Sequence, residues 1–154
     1  MPERSAGLLL HRSVDGRREV LIAHMGGPFW AGRDEAAWSI PKGLYDDSES
    51  PLDAALREFA EELGIPAPDA DYEMLGEFRQ PSGKLVTVYI AEANLTLGTI
   101  VSNTFTIEWP PRSGRMQDFP EIDAAAWLDL ATARTKLVKG QRSILDALEI
   151  RLGS

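Results

Sequence analysis

Between Ser50 and Gly64 the chain carries both ends of a helix and a strain in its middle. Ser50 suits an N-cap, Pro51 the first helical position, and Asp53 places negative charge in the first turn. Leu52, Ala55, Leu56, Phe59, Ala60 and Leu63 recur at three- and four-residue spacing and predict one apolar face. Gly64 ends the helix and Pro66 prevents its continuation. The strain comes from Glu58, Glu61 and Glu62, three carboxylates within a turn of one another, expected to project away from the apolar side. No lysine compensates them, and Arg57, four residues before Glu61, is their one near partner. A solvated acidic face is the ordinary outcome for such residues. Here a glycine-containing loop precedes the helix, and its carbonyls can join side-chain oxygens around a cation. An oxygen-only donor set favours a hard ion, magnesium or manganese.

A length of 154 residues fits one domain over residues 1–154, and 44% hydrophobic content is that of a globular chain. With no cysteine, disulfides and thiolate metal sites are excluded. The start, "MPERSAGLLL", has only a short apolar run, and no stretch reaches the roughly 18 apolar residues of a membrane span. A cytoplasmic protein without a membrane partner is expected. The net charge of −8 argues against extended nucleic-acid binding. It leaves room for a small phosphate ligand, because a divalent cation inverts the local field of an acidic site.

Ala6–His11 and Glu19–Met25 read as strands around the turn at Val14–Arg18. Trp38–Ile40 predicts a short strand, and Pro41–Ser50 a loop. Tyr72–Gln80 and Lys84–Ala93 form a hairpin across "PSG". Thr104–Trp109 and Ala124–Leu130 add strands, with a stiff basic loop at Trp109–Arg115. Leu130–Leu152 is helical with an interruption at Gly140. Strands, a helix, more strands and a final helix predict an α/β sandwich with a mixed sheet.

From Gly43 the chain reads glycine, "LYDDS", Glu49, "SPLDAAL", Arg57-Glu58, Phe59, Ala60, Glu61-Glu62, Leu63, Gly64, Ile65. This resembles the Nudix box at every charged and glycine position; Phe59 stands where an aliphatic residue is more usual. The resemblance implies a Nudix-type α/β/α sandwich with a mixed β-sheet. It also implies divalent-metal-dependent hydrolysis of a pyrophosphate bond in a nucleoside diphosphate linked to another moiety. Carried onto this chain, Glu58 and Glu62 look like metal ligands and Glu61 a ligand or the holder of a metal-bound water. Arg57 orients a carboxylate, Glu61 first. Glu49 steadies the loop, Gly43 and Gly64 are the fixed glycines, and the Lys42 carbonyl is a backbone ligand. Two alternatives stand beside it: a nucleotide-sensing module without turnover, and a hydrolase of ADP-sugars or inositol pyrophosphates.

Outside the box, Glu121 lies six residues before Trp127, a spacing similar to that of an extra carboxylate in some family members. It is the candidate further ligand or general base, with Asp118 and Asp123 behind it. "WSIPKG" resembles dinucleoside polyphosphate hydrolases and puts the Lys42 charge beside phosphate. Arg112 and Arg115 offer guanidinium forks for the same purpose, and Arg79 and Lys84 are weaker candidates. Phe29, Trp30 and Trp109 are expected to anchor loops rather than stack on a base. His11 and His24 are expected to be structural.

Overall fold

The run Ala6–Leu10 is apolar at nearly every position because its strand is covered on both faces. In the computed structural model, which describes residues 3–153, β1 (Arg4–Val14) and β2 (Arg17–Met25) form a hairpin through a tight turn at Asp15 and Gly16. β3 (Trp38–Ser39), β4 (Lys42–Leu44) and helix α1 (Pro51–Leu63) follow. Next come β5 (Glu73–Arg79), β6 (Leu85–Glu92), β7 (Thr104–Glu108), β8 (Met116–Pro120) and β9 (Ile122–Asp129). Helix α2 (Leu130–Lys136), a 3-10 turn at Lys139–Gln141 and helix α3 (Arg142–Leu152) complete the order.

Alternate residues of β1 serve opposite layers. Ala6, Leu8 and Leu10 pack with Ala54, Ala55, Phe59 and Leu63 of α1, while Leu9 packs with Ala133, Ile144, Leu145 and Leu148 of α2 and α3. The result is the expected α/β/α sandwich. Its sheet is mixed, since β1 runs parallel to β6 and antiparallel to β2.

The sheet splits where the site lies. β1 pairs with β2 only from His11↔Val20 to Val14↔Arg17. Beyond that point β1 pairs with β4 at Ser5–Gly7, and β2 pairs with β3 at Ala23–His24. β6 and β9 occupy the other edges of β1 and β2, so Trp38–Leu44 fills the gap between diverging strands. The loop expected over Pro41–Ser50 therefore contains a strand. The basic loop after Trp109 is the tip of a separate two-stranded β7–β8 hairpin, whose second strand the sequence pattern did not suggest. The final helix breaks at Leu137–Val138 rather than at Gly140, because Leu137 bridges to Trp38 and Val138 N–H donates to the Trp38 carbonyl at 2.9 Å. Among the described residues, no helix is long and apolar enough to cross a membrane.

Candidate active site

Leu8 N–H donates to the Pro41 carbonyl at 3.0 Å, and Tyr45 N–H to the Arg4 carbonyl at 3.1 Å. Backbone polar groups of Pro41, Gly43 and Tyr45 thus face β1, and those of Lys42 and Leu44 face the opposite edge, toward α1. The helix meets them there: Lys42 N–H donates to Glu62 Oε1 at 3.2 Å, and Arg57 Nη2 donates to the Leu44 carbonyl at 3.3 Å. By the same alternation the Lys42 carbonyl lies on the α1 edge. Gly43 is required by contact. A Cβ there would lie 1.9 Å from Glu58 Cδ, so the Glu58 carboxylate rests on bare backbone.

Arg57 ties this edge together. Its Nη2 donates to Glu49 Oε1 at 2.5 Å and its Nε to Glu49 Oε2 at 3.1 Å, while Nη1 reaches Glu58 at 2.9 Å and Glu61 at 3.1 Å. Arg57 thus holds Glu61, as expected, and Glu58 as well, while its forked contact goes to Glu49. These bonds raise the guanidinium pKa, the Glu49 contact first, and Arg57 in turn lowers that of Glu49. At the helix end, Gly64 takes a φ of 75° and donates its N–H to the Ala60 carbonyl, the left-handed cap that only glycine adopts freely.

Not all three glutamates project into solvent. Glu62 is only 8% exposed. It stands seven residues, almost two turns, after buried Ala55 and so borders the apolar face. Burial pushes its carboxyl from the usual 4.5 to about 8, with the charges of Glu121 and Glu58 adding to the rise. Burial also raises Glu58. Glu121, exposed just before β9, is raised by partial desolvation and then by Glu61. Its backbone fixes it in place, with Gly26 N–H donating to its carbonyl and its own N–H donating to the Asn103 carbonyl, both at 2.8 Å.

Among the described residues, no three His, Cys, Asp or Glu side chains converge as they lie on a point that could hold a metal. Glu58 and Glu61 are drawn to Arg57, and Glu62 to the backbone. The donor chemistry nonetheless fits a hard cation. Only oxygens are on offer, and two of the carboxylates carry their charge at a desolvation cost that a cation would offset.

A cleft of about 540 Å³ opens beside this edge. Met25, Trp30, Pro81 and Val138 supply its apolar walls, and Lys42 and Lys84 its charge. Burial, then the nearby Lys84, lowers the Lys42 amine pKa. A hollow of about 590 Å³ at the far end of the sheet, beside Arg17 and Arg134, is lined neither by Lys42 nor by any member of the carboxylate cluster.

A family model for the NUDIX domain matches residues 1–148. The chain belongs to the Nudix family. It is 50% identical over 70 residues to an RNA pyrophosphohydrolase of Cereibacter sphaeroides, a stretch covering 43% of this chain and 41% of that protein. It is 37% identical over 82 residues to a nucleoside triphosphate pyrophosphatase/Nudix hydrolase fusion protein of Bifidobacterium longum, covering 51% of this chain and 16% of that one. The match therefore spans less than half the length of either relative. Among solved structures, the NUDIX domain of Shewanella oneidensis NrtR complexed with ADP ribose superposes with a TM-score of 0.70 at 19% identity, covering 99% of this chain and 89% of that one. A C. elegans Ap4A hydrolase binary complex gives 0.67 at 21% identity, covering 98% of each chain. These likenesses establish the fold.

Around the Nudix box, the structure gathers Lys42, Gly43, Glu49, Arg57, Glu58, Glu61, Glu62 and Glu121, and separates Arg112 and Arg115 from them. Both arginines are exposed at the distal tip of the β7–β8 hairpin, while Glu121 follows its base. Asp118 accepts from Thr106 on that hairpin, and Asp123 lies 2.7 Å from His24 Nδ1. His11 and His24 are buried. Phe29 and Trp109 pack edge to face at 5.5 Å, fastening the Gly26–Ala37 loop to the hairpin. The pattern reading missed Ser39 and Gln141 of the cleft. A single buried glutamine outside any periodic element leaves no signature in a sequence.

Proposed function

We propose that this Nudix domain, residues 1–154, is a divalent-metal-dependent pyrophosphohydrolase. Its substrate is a nucleoside triphosphate or a dinucleoside polyphosphate. The observation that carries the reading is Glu62, an acid buried next to Glu58 and against the backbone of Lys42, a residue that itself lines a cleft with two lysines. A fold has little reason to desolvate adjacent carboxylates unless a ligand uses them. The names borne by the relatives support the same reaction class.

Glu58, Glu62 and the Lys42 carbonyl would hold magnesium or manganese, with Glu61 and Glu121 next to them. When bound, the ion supplies charge neutralisation at the phosphate oxygens and lowers the pKa of an attacking water. The chain's own residues do the rest. Arg57 fixes Glu49, Glu58 and Glu61 relative to β4. Lys42 and Lys84 attract the polyphosphate, which restores to the Lys42 amine the charge that burial disfavours. Met25, Trp30 and Pro81 exclude water from the moiety bound in the cleft. Glu121, raised yet within reach of solvent, is the candidate proton acceptor for the attacking water.

The test is a nucleotide panel with magnesium in oxygen-18 water, read by mass spectrometry. Release of a nucleoside monophosphate or phosphate carrying the label is expected. Binding without product over long incubation would overturn turnover and leave a sensor.

A further inference from the structure

Gln141 is a polar side chain sealed in the core, 1% exposed. It comes from the 3-10 turn, yet both ends of its amide bond the segment immediately before Lys42. Ile40 N–H donates to Gln141 Oε1 at 2.9 Å, and Gln141 Nε2 donates to Ser39 Oγ at 2.8 Å. Ser39 Oγ in turn donates to the Ile40 carbonyl at 2.7 Å. These bonds continue a ladder. Leu137 bridges Trp38 in parallel and Val138 N–H bonds the Trp38 carbonyl. One residue further on, the backbones part, and the Gln141 amide supplies the next acceptor and donor. On its other side the segment is gripped by Leu8 N–H at the Pro41 carbonyl. Ile40 and Pro41 are thus fixed from both flanks, and the next residue is Lys42, whose N–H meets Glu62. The turn that carries Gln141 also walls the cleft. Gln80 Nε2 holds the Gly140 carbonyl at 3.2 Å, and both Gly140 and Gln141 line the cavity.

We propose that Gln141 is a positioning residue: it sets the Lys42 backbone against Glu62 and links the cleft wall to the carboxylate edge. The idea rests on the metal-site reading above for its catalytic consequence, not for its structural one. A ligand that presses on the Gly140–Gln141 turn moves the Ile40–Lys42 segment with it, through two hydrogen bonds and no intervening loop.

The test uses the full chain with Gln141→Leu, Gln141→Glu and Gln141→Asn. Three quantities are read: amide hydrogen exchange at Ile40 and Lys42 in metal-free protein, manganese affinity without nucleotide, and kcat and KM. Gln141→Leu should speed exchange at Ile40 and Lys42 while leaving the β1 amides protected. It should also weaken manganese by ~10-fold and lower kcat far more than it changes KM. Gln141→Glu keeps an acceptor for Ile40 N–H and should recover most of each loss. If Gln141→Leu fails to fold, Gln141→Asn carries the test, since it keeps the amide and withdraws it by one methylene. A folded Gln141→Leu or Gln141→Asn with wild-type Lys42 protection and manganese affinity overturns the proposal. Lost Lys42 protection in a protein that binds no manganese in any form supports the positioning and overturns the metal-site reading.

Discussion

The α1–β4 edge and the tip of the β7–β8 hairpin are both rich in charge and handle it in opposite ways. At the edge, Glu62 is desolvated, Glu58 lies on a bare glycine, and Arg57 bonds three carboxylates and a carbonyl. At the tip, Arg112 and Arg115 are exposed, and they are bonded through their backbones, with N–H groups donating to Glu108 Oε1 at 3.0 Å and Ser113 Oγ at 3.1 Å and the Arg115 carbonyl accepting from Trp109 N–H at 2.9 Å. Charge in water costs a fold almost nothing and commits it to nothing. Charge held inside costs several kcal/mol per ion unless it is compensated. The edge is where this molecule carries that cost, and a bound cation is the compensation its oxygen-only donor set would suit.

Several substitutions can break this contrast. The largest effect should come from Glu62→Gln, which should lower turnover by ~100-fold or more, as removing a metal ligand does. Its melting temperature at neutral pH should stay level or rise, because the amide needs neither the proton that buried Glu62 must hold there nor a desolvated charge; a coincident collapse of the fold would contradict this. Gly43→Ala comes next. The methyl must displace the Glu58 carboxylate, and steady-state kinetics should show ~10- to 100-fold lower activity. Arg57→Lys keeps the charge and loses the forked contact with Glu49. Urea unfolding should register a loss of about 1–3 kcal/mol. Smallest of all, Arg112→Ala with Arg115→Ala should leave stability within about 0.5 kcal/mol and activity within about twofold. A large loss of activity there would erase the distinction between the two regions.

The same contrast explains what was legible beforehand. Helix α1 could be bounded to the residue because its signals are local: Ser50 caps it, Pro51 opens it and Gly64 closes it. β4 could not, because three residues become a strand only where β1 and β2 diverge and leave an edge to pair with. β8 likewise exists through β7, residue by residue from Thr104↔Pro120 to Glu108↔Met116, without an alternating pattern of its own. The carboxylates were placed by their spacing on one helix. The burial of Glu62 was legible too, as the seven-residue step from Ala55, but the charge of the side chain obscured it. Gln141 was not, since its partners lie about a hundred positions away in the chain and no period connects them.

The central claim, that the α1–β4 edge is built for a cation, is tested most directly by thermal melts across pH with and without manganese, for wild type and Glu62→Gln. In metal-free protein the folded chain keeps the Glu62 proton between 4.5 and about 8, while the unfolded chain has released it. Stability from this group is therefore full below that window and lost as pH rises through it. Wild type should melt lower near pH 8 than near pH 5 without metal. Manganese should raise the melting temperature, and raise it more toward pH 8, since binding requires the carboxylate. Glu62→Gln should lose most of both the slope and the manganese gain. Wild-type melts that superimpose with and without manganese at every pH would contradict the account.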